Sequence, residues 1–218
     1  NTIDKQSSLE KIEDINKDKY LHNLESCINT INGKNNKLNK VVLSRIKKIS
    51  FTDNISRGPI LNSLYKRNNN NMNFLFSYND NISIVGSSPE LVISLNNNII
   101  KSESLAGSNY NKKNDEFILD AKEIKEQKIV TNYILQYFNR NATNIVFNRK
   151  PFVKKSFNMD HLCTEISGFV DNDKNIFSLL NEIHPTPAIA GEPKKSAINY
   201  IIKNEVRGWY GGPIGWID

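Results

Sequence analysis

The sequence predicts an α+β protein built from antiparallel sheets and helices, and three observations support this class. Apolar residues recur near helical spacing through residues 6–32 and 115–138. Short β-branched and aromatic runs lie between residues 74 and 102, and clusters of Asn and Asp separate them as in antiparallel hairpins. The chain has 218 residues, of which 38% are hydrophobic, which is enough for the core of one or two domains. Mixed helices and antiparallel strands indicate the α+β class.

The first half of the chain is expected to start with a helix and to continue mainly as strands. The helix covers residues 6–32. The β-branched run Lys40-Val-Val-Leu-Ser-Arg45 predicts a strand, and residues 59–66 fit a short helix. Four further strands are expected at residues 74–78, 82–86, 91–95 and 99–102.

The second half contains the strongest helix pattern, residues 115–138, which is expected to open at Asp115. The glycines of residues 208–217 are typical of a bent strand that another backbone or a ligand approaches closely. No repeat or linker divides the sequence, so we expect one domain over residues 1–218, with residues 1–39 as its helical N-terminal segment. Two further strands are expected at residues 144–148 and 161–170, and two further helices at residues 175–183 and 194–204.

Charge and cysteine content narrow the function classes. The net charge is +6, but the lysines are scattered among Asp and Glu, which favours a solvated surface over a nucleic-acid interface. Cys27 and Cys163 form neither a zinc motif nor a disulfide framework, so buried reduced thiols in an intracellular protein are expected. No apolar run reaches membrane-spanning length. We predict a cytoplasmic protein that binds neither nucleic acid nor membrane, or a plastid protein if a targeting segment precedes Asn1.

Seven short strings occur in a recognisable order. They are Lys40-Val-Val-Leu-Ser-Arg45, Ser88-Pro-Glu-Leu91, Glu103-Ser-Leu-Ala-Gly-Ser108, Lys122-Glu-Ile-Lys-Glu126, His161-Leu, His184-Pro-Thr-Pro-Ala188 and Arg207-Gly-Trp-Tyr-Gly211. Each string alone is weak, but the series resembles the chorismate-binding enzymes, which include the isochorismate, salicylate, anthranilate and aminodeoxychorismate synthases. The resemblance spans residues 40 to 218. It implies two antiparallel sheets packed face to face with helices outside, and chorismate as substrate.

The resemblance implies an acid and a base. Isochorismate synthase adds water to one ring carbon of chorismate and expels a hydroxyl from another, which requires both groups. Lys40 matches the family's water-activating lysine and Glu90 its general acid. Taken in isolation, Lys40 also fits a solvent-facing lysine on a strand edge, and Glu90 a surface carboxylate after Pro89.

The resemblance also implies a Mg²⁺ site. Glu126 matches a metal ligand on the long helix, and Glu123 lies one turn earlier on the same face. Because Lys122 and Glu126 are spaced i, i+4, an exposed Lys–Glu ladder is the alternative interpretation. The family commonly has His directly after this Glu, where this chain has Gln127.

Substrate contacts follow from the same comparison. The turn formed by Leu105, Ala106, Gly107 and Ser108 resembles the segment that cradles the substrate. His161 matches a position near the substrate, for which a packed core histidine is the alternative. Tyr210 matches a tyrosine that contacts a substrate carboxylate, although a tyrosine in a strand is more often a packing residue. The resemblance also implies that Ala188 and Ile189 contact the substrate.

Three positions favour isochorismate synthase within the family. Ala106 stands where aminodeoxychorismate synthase has a nucleophilic lysine. Lys40 stands where anthranilate synthase usually has Gln. Ala188 replaces a Thr associated with pyruvate loss, so the reaction is expected to stop at isochorismate. The string from Arg207 to Asp218 is similar to the isochorismate branch, and it suggests quinone (menaquinone or phylloquinone) biosynthesis more than siderophore biosynthesis. A salicylate or anthranilate-type lyase and a non-catalytic fragment remain the alternatives.

The family pattern extends beyond the end of this sequence. The further segment would contribute a substrate-binding Arg, a glycine-rich stretch, a second Mg²⁺-binding Glu and a Lys. The resemblance therefore predicts a C-terminally truncated form of the fold, with weak or no catalysis if these 218 residues act alone.

Overall fold

The structure is a computed structural model that describes residues 8–33, 37–110, 114–118, 120–157 and 159–218. It combines helices with antiparallel strands, which confirms the predicted α+β class. The elements in chain order are β1 (Leu9–Asp14), α1 (Lys17–Asn32), β2 (Lys40–Val41), β3 (Lys47–Phe51), α2 (Arg57–Arg67), β4 (Met72–Ser77), β5 (Ser83–Ser88), β6 (Ser94–Asn96), β7 (Ile99–Asn109), α3 (Asn114–Ile118), α4 (Ala121–Asn141), β8 (Thr143–Phe147), β9 (Phe152–Lys154), β10 (Asp160–Phe169), α5 (Ile176–Ile183), β11 (Gly191–Glu192) and α6 (Lys194–Asn204).

The chain forms two compact units. The first contains Asn1–Asn36 and Leu43–Ser87, and the second contains Lys37–Val42 and Ser88–Asp218. Within the described residues, the first unit holds an antiparallel ladder of β1 with β3 and a two-stranded sheet of β4 with β5. The second unit holds the larger sheet and the elements that carry the predicted site residues.

The predicted helix over residues 6–32 is wrong at its start. Leu9–Asp14 is a strand, and the helix begins at Lys17. β1 pairs with β3, where Ile12 lies opposite Ile49, and the Asn16 side chain accepts the Ile46 N–H at 2.9 Å. Apolar spacing in β1 suits a helix, but pairing with a strand more than thirty residues away supplies its backbone partners, and such tertiary context overrides local propensity.

The second unit is organised around a five-stranded antiparallel sheet. Its order is β6-β7-β10-β8, and β9 also pairs with β10. Helix α4 packs on this sheet, and the hydrophobic core lies between them. The buried core residues are Ile100, Ala106, Val130, Ile134, Tyr137, Phe138, Ile166, Val170, Leu179 and Ile183.

The predicted helix over residues 115–138 is two helices, α3 and α4. Asp120 caps α4, because its side chain accepts the N–H groups of Lys122 at 3.0 Å and Glu123 at 3.1 Å. The side chain of Asp115, the predicted start, lies outside the described residues. The cap places Glu123 and Glu126 on the first turns of α4.

Three predicted strands are shorter or absent. Of the strand predicted at residues 91–95, only Ser94 and Leu95 lie in β6. The strand at residues 40–45 is reduced to Lys40–Val41, which pairs with β11. Residues 208–217 are not a bent strand: residues 208–211 form a turn and residues 212–217 have no regular secondary structure. Gly208 and Gly211 have φ of 56° and 80°, and the Tyr210 N–H donates to the Arg207 carbonyl at 3.0 Å. The glycines at this end therefore serve turn conformations that other residues rarely adopt.

Cys27 and Cys163 are both buried and free, as the sequence predicts. Within the described part of the chain, no helix has the length and apolar character that crossing a membrane requires.

Candidate active site

A cleft of about 210 Å³ in the second unit gathers most of the predicted site residues. It draws them from β2, from the segment after β5, from β7, α4 and β10, and from the turn before β11. The lining residues are Lys40, Ser88, Pro89, Glu90, Leu105, Ala106, Gly107, Ser108, Glu126, His161 and Ala188. Glu123, Ile189 and Tyr210, which the sequence also predicts as site residues, do not line it.

A β-bulge at Gly107 shapes one wall of the cleft. His161 of β10 lies opposite Ser108 and Leu162 opposite Ala106, so Gly107 is the extra residue of β7. Its φ is 79°, and an added Cβ would lie 3.1 Å from the Glu123 carbonyl oxygen. Both the backbone conformation and the contact with α4 therefore require glycine here.

Lys40 is held in the cleft by the short ladder between β2 and β11. Lys40 lies opposite Glu192, and a Cβ added at Gly191 would overlap the Lys40 carbonyl, so the strands approach closely at this point. The Lys40 side chain is 14% exposed, and its Nζ lies 3.1 Å from Glu126 Oε1. The ammonium group therefore forms an ion pair in a largely desolvated place.

Arg207 joins the strand of Lys40 to the turn before β11. Its guanidinium donates to the Ile189 carbonyl at 2.8 Å and to the Val42 carbonyl, and it pairs with Glu205 at 2.9 Å. Ile189 lies beneath Gly211, where an added Cβ would approach the Ile189 side chain to 3.0 Å. Ile189 thus packs against Gly211 outside the cleft, while its neighbour Ala188 lines the cleft.

Glu90 also lines the cleft, and the two lysines near it, Lys40 and Lys154, form their ion pairs with other carboxylates. Burial raises the pKa of its carboxyl from 4.5 to about 7. The Thr186 hydroxyl, which donates to Glu90 Oε1 at 3.5 Å, opposes this pKa shift, as does the charge of Lys40. Glu90 therefore keeps a proton in a substantial fraction of molecules near neutral pH.

The first turns of α4 carry two carboxylates, and carboxylate oxygens are the type of ligand that Mg²⁺ prefers. Glu126 lines the cleft with its side chain 35% exposed. Glu123 is buried, and its Oε2 accepts the Ser108 N–H at 2.9 Å while its Oε1 lies 3.0 Å from Lys122 Nζ. Among the described residues, no three or more His, Cys, Asp and Glu side chains gather as a metal-ligand group. Glu126 therefore offers one accessible carboxylate, supported by Glu123, and a bound Mg²⁺ would take its other ligands from substrate and water.

His161 presents a neutral ring to the cleft. Its Nδ1 lies 3.3 Å from the Gly107 carbonyl oxygen and 3.3 Å from Ser108 Oγ. Burial lowers the pKa of His161, although the Gly107 carbonyl and Asp160 favour the charged form. The carbonyl contact assigns the Nδ1 proton to a hydrogen bond with Gly107, which orients the ring for polar contacts without adding a positive charge.

Tyr210 lies on the surface. Its side chain belongs to a residue that is 59% exposed, and the Arg207 guanidinium carbon lies 5.9 Å from its ring centroid. Its contact with a substrate carboxylate stays a prediction.

Several polar groups beside the cleft were missed by the sequence reasoning. Lys154 of β9 donates to the Pro89 carbonyl at 2.9 Å and forms an ion pair with Glu103. Glu103 begins one of the recognised strings, and Thr186 lies within another, so position in a motif marks both. Nothing in the sequence marks Lys154, because the three-residue strand β9 shows no pattern of its own.

Gln127 fills a buried position behind Glu126. Its amide donates to Thr164 Oγ1 at 2.8 Å and lies 3.4 Å from Ser104 Oγ. The departure from the His that is common in the family is therefore accommodated by hydroxyl partners on β7 and β10.

Comparison with known proteins identifies a family. A family model described as "Chorismate binding enzyme" matches residues 1–218. The isochorismate synthase MenF of Bacillus subtilis is 31% identical, over 98% of this chain and 47% of its own length. The vibriobactin-specific isochorismate synthase of Vibrio cholerae is 30% identical, over 83% of this chain and 49% of its own length. The chain thus spans about half the length of these curated relatives.

Solved structures share the fold. DhbC from Bacillus anthracis superposes with a TM-score of 0.83 at 25% identity, covering 92% of this chain and 57% of that one. The menaquinone-specific isochorismate synthase MenF of Escherichia coli gives 0.79 at 21% identity, covering 91% and 48%. The fold, the order of the site residues and the full-length family match lead to one conclusion: this chain belongs to the chorismate-binding enzyme family.

Proposed function

We propose that this chain carries the acid and base of a Mg²⁺-dependent isochorismate synthase. The reaction adds water to one ring carbon of chorismate and removes a hydroxyl from another, which makes the enzyme an isomerase. The observation that carries the proposal is the convergence of Lys40, Glu90 and Glu126, from three separate elements, on one cleft.

Glu90 has the properties of the acid. A general acid must hold a proton at working pH and release it to the departing hydroxyl. The pKa of about 7 that burial imposes on Glu90 meets both requirements.

Lys40 is proposed as the base that removes a proton from the attacking water. A base needs the neutral amine, whereas Lys40 is paired with Glu126 at 3.1 Å. The ion pair must therefore open, and Lys40 must lose its proton, before the amine can act as the base.

Mg²⁺ would be held by Glu126, with Glu123 in support. When bound, the ion supplies positive charge that balances a substrate carboxylate. Glu123 accepts a hydrogen bond from the Ser108 N–H, which ties the first turns of α4 to the bulge of β7.

The remaining cleft residues are proposed to bind and select chorismate. Ala106 offers no amine at its position, which argues against covalent attack on the ring by a lysine placed there. Ala188 offers no hydroxyl for a later loss of pyruvate. The segment from Leu105 to Ser108, His161 and Ala188 are proposed to contact the ring, and Ile189 and Tyr210 to support the bound substrate.

The pathway is proposed as quinone or siderophore biosynthesis. The names of the relatives point in both directions, since one similar protein is vibriobactin-specific and another is menaquinone-specific.

The test is incubation of the chain with chorismate and Mg²⁺, followed by chromatographic identification of products. A second protein joins the chain to the segment of the Bacillus subtilis relative that follows the matched region, because the chain spans only 47% of that protein. Isochorismate formed by either protein, and lost in Lys40→Ala, supports the proposal.

Two outcomes contradict it. Release of pyruvate with an aromatic product identifies a lyase instead of an isomerase. Absence of Mg²⁺-dependent turnover in the joined protein, when it is folded and binds chorismate, shows that these residues do not form an isochorismate synthase site.

A further inference from the structure

The surroundings of Glu90 contain a charge pair with no role in the proposed chemistry. Lys154 on β9 and Glu103 on β7 form an ion pair beside the segment that carries Glu90. Their side chains are 23% and 17% exposed, so both charges are largely removed from water. A pair in such a place costs desolvation energy, and hydrophobic residues of similar volume often replace it without loss of stability.

Lys154 touches the backbone of the acid's own segment. Its Nζ donates to the Pro89 carbonyl at 2.9 Å, directly before Glu90. The register of β9 places Lys154 opposite His161, which lines the same cleft. One ammonium group thus connects β9, β7 and the segment leading to Glu90.

Each lysine near Glu90 is paired with a different carboxylate. Lys40 is paired with Glu126, and Lys154 with Glu103. The charges that act on the Glu90 carboxyl are those of Lys40 from β2, Glu103 from β7 and Lys154 from β9, and the Thr186 hydroxyl donates to Glu90 Oε1.

We propose that Lys154 and Glu103 are positioning residues for Glu90: Lys154 fixes the Pro89 carbonyl, and Glu103 occupies the lysine charge so that Glu90 keeps its proton. This inference deepens the proposed function, since it rests on Glu90 as the acid. Neither residue touches the reacting atoms; both act through Glu90.

The proposal predicts opposite effects for two substitutions. Glu103→Gln releases the charge of Lys154, which then favours ionised Glu90 and lowers its titration midpoint by about one pH unit. Lys154→Met leaves Glu103 as an unpaired negative charge, which disfavours ionised Glu90 and raises the midpoint. The double variant removes both charges and is expected to return the midpoint toward that of the parent.

The measurement is a ¹³C NMR titration of the glutamate side-chain carboxyls in the 218-residue chain. The Glu90 signal is assigned by its disappearance in Glu90→Gln. Glu165→Gln is the matched control, because Glu165 is an exposed carboxylate directly opposite Glu103 in the sheet. It is expected to leave the Glu90 midpoint unchanged.

Opposite shifts in the two single variants, with recovery in the double variant, support the proposal. Shifts in the same direction, or a Glu103→Gln midpoint no different from that of Glu165→Gln, overturn it. If Lys154→Met does not fold, Glu103→Gln and the double variant still decide, because the former must lower the midpoint and the latter must restore it.

The titration requires no turnover, so it separates this inference from the proposed function. Opposite shifts without isochorismate formation in the joined protein would retain the positioning pair and reject the enzyme assignment. Isochorismate formation without the shifts would retain the enzyme and reject the positioning pair.

Discussion

Lys40 and Glu90 line the same cleft, but the surroundings of these two titratable groups differ in kind. Around Lys40, a strand ladder fixes the backbone and Glu126 pairs with the ammonium at 3.1 Å. Around Glu90, burial raises the pKa of the carboxyl to about 7, and Thr186 offers only a hydroxyl. The difference teaches that the ionisation of a group in one small cleft depends on which neighbours have already paired with one another.

The largest expected effect is on turnover. Lys40→Ala and Glu90→Gln are each expected to lower kcat by about 10²–10⁴-fold, because each removes one proton-transfer group. The measurement is steady-state formation of isochorismate in whichever form of the protein turns over chorismate.

A matched control for the Lys40 variant is Lys37→Ala, which removes an exposed lysine from the same segment. If Lys40→Ala is as active as this control, Lys40 is not the base, and Glu90 is the only proton-transfer group left in the proposal.

The second prediction concerns stability and pH. The folded state raises the pKa of Glu90 from 4.5 to about 7, so it binds this proton more tightly than the unfolded chain does. The resulting stabilisation is present below pH 4.5 and is lost as pH rises through about 7, by up to about 3 kcal/mol of unfolding free energy. Urea denaturation at pH 5 and pH 8 measures the difference.

Glu90→Gln has no such proton and is expected to show a smaller loss of stability between these two pH values. An equal pH dependence in the parent and in Glu90→Gln would show that Glu90 is ionised at both pH values.

The third prediction concerns the β-bulge at Gly107, which packs against Glu123 of α4. Gly107→Ala introduces a Cβ at a φ of 79° and 3.1 Å from the Glu123 carbonyl oxygen, so we expect a loss of about 1–3 kcal/mol of unfolding free energy. Urea denaturation provides the value. Gly58→Ala is the control, because no atom lies within 4 Å of a Cβ added there.

The smallest expected effect is a shift in the titration midpoint of Glu90. Thr186→Val removes the hydroxyl that donates to Glu90 Oε1 at 3.5 Å, and this contact lowers the Glu90 pKa. The titration midpoint of Glu90 is therefore expected to rise by less than about one pH unit. A fall in the midpoint in the NMR titration would show that Thr186 does not stabilise the ionised carboxylate.

The fold shows where local pattern is sufficient. The helix over residues 175–183 matches α5 within one residue, and residues 194–204 match α6, because each has apolar positions on one face and a clear end. β1 was predicted as helix, since Leu9 and Ile12 have helical spacing and only the pairing with β3 reveals a strand.

The candidate site likewise contains residues that the motifs predict and residues that only the fold reveals. Motif order placed Lys40, Glu90, Glu126 and His161 among the candidate residues, and the cleft brings all four together. Lys154 was missed, because its partners are a carbonyl 65 residues away and a carboxylate 51 residues away.

The sequence by itself determined the family and the fold class and supplied the candidate site residues, because short strings in one order along the chain carry all three. Tertiary structure alone decided which charges are paired, which carboxyl is buried without a counter-ion and which predicted residues stay outside the cleft. The physical reason is that desolvation and Coulomb interaction depend on distance in space, and the groups that determine the protonation of Glu90 come from β2, β7, β9 and the turn before β11.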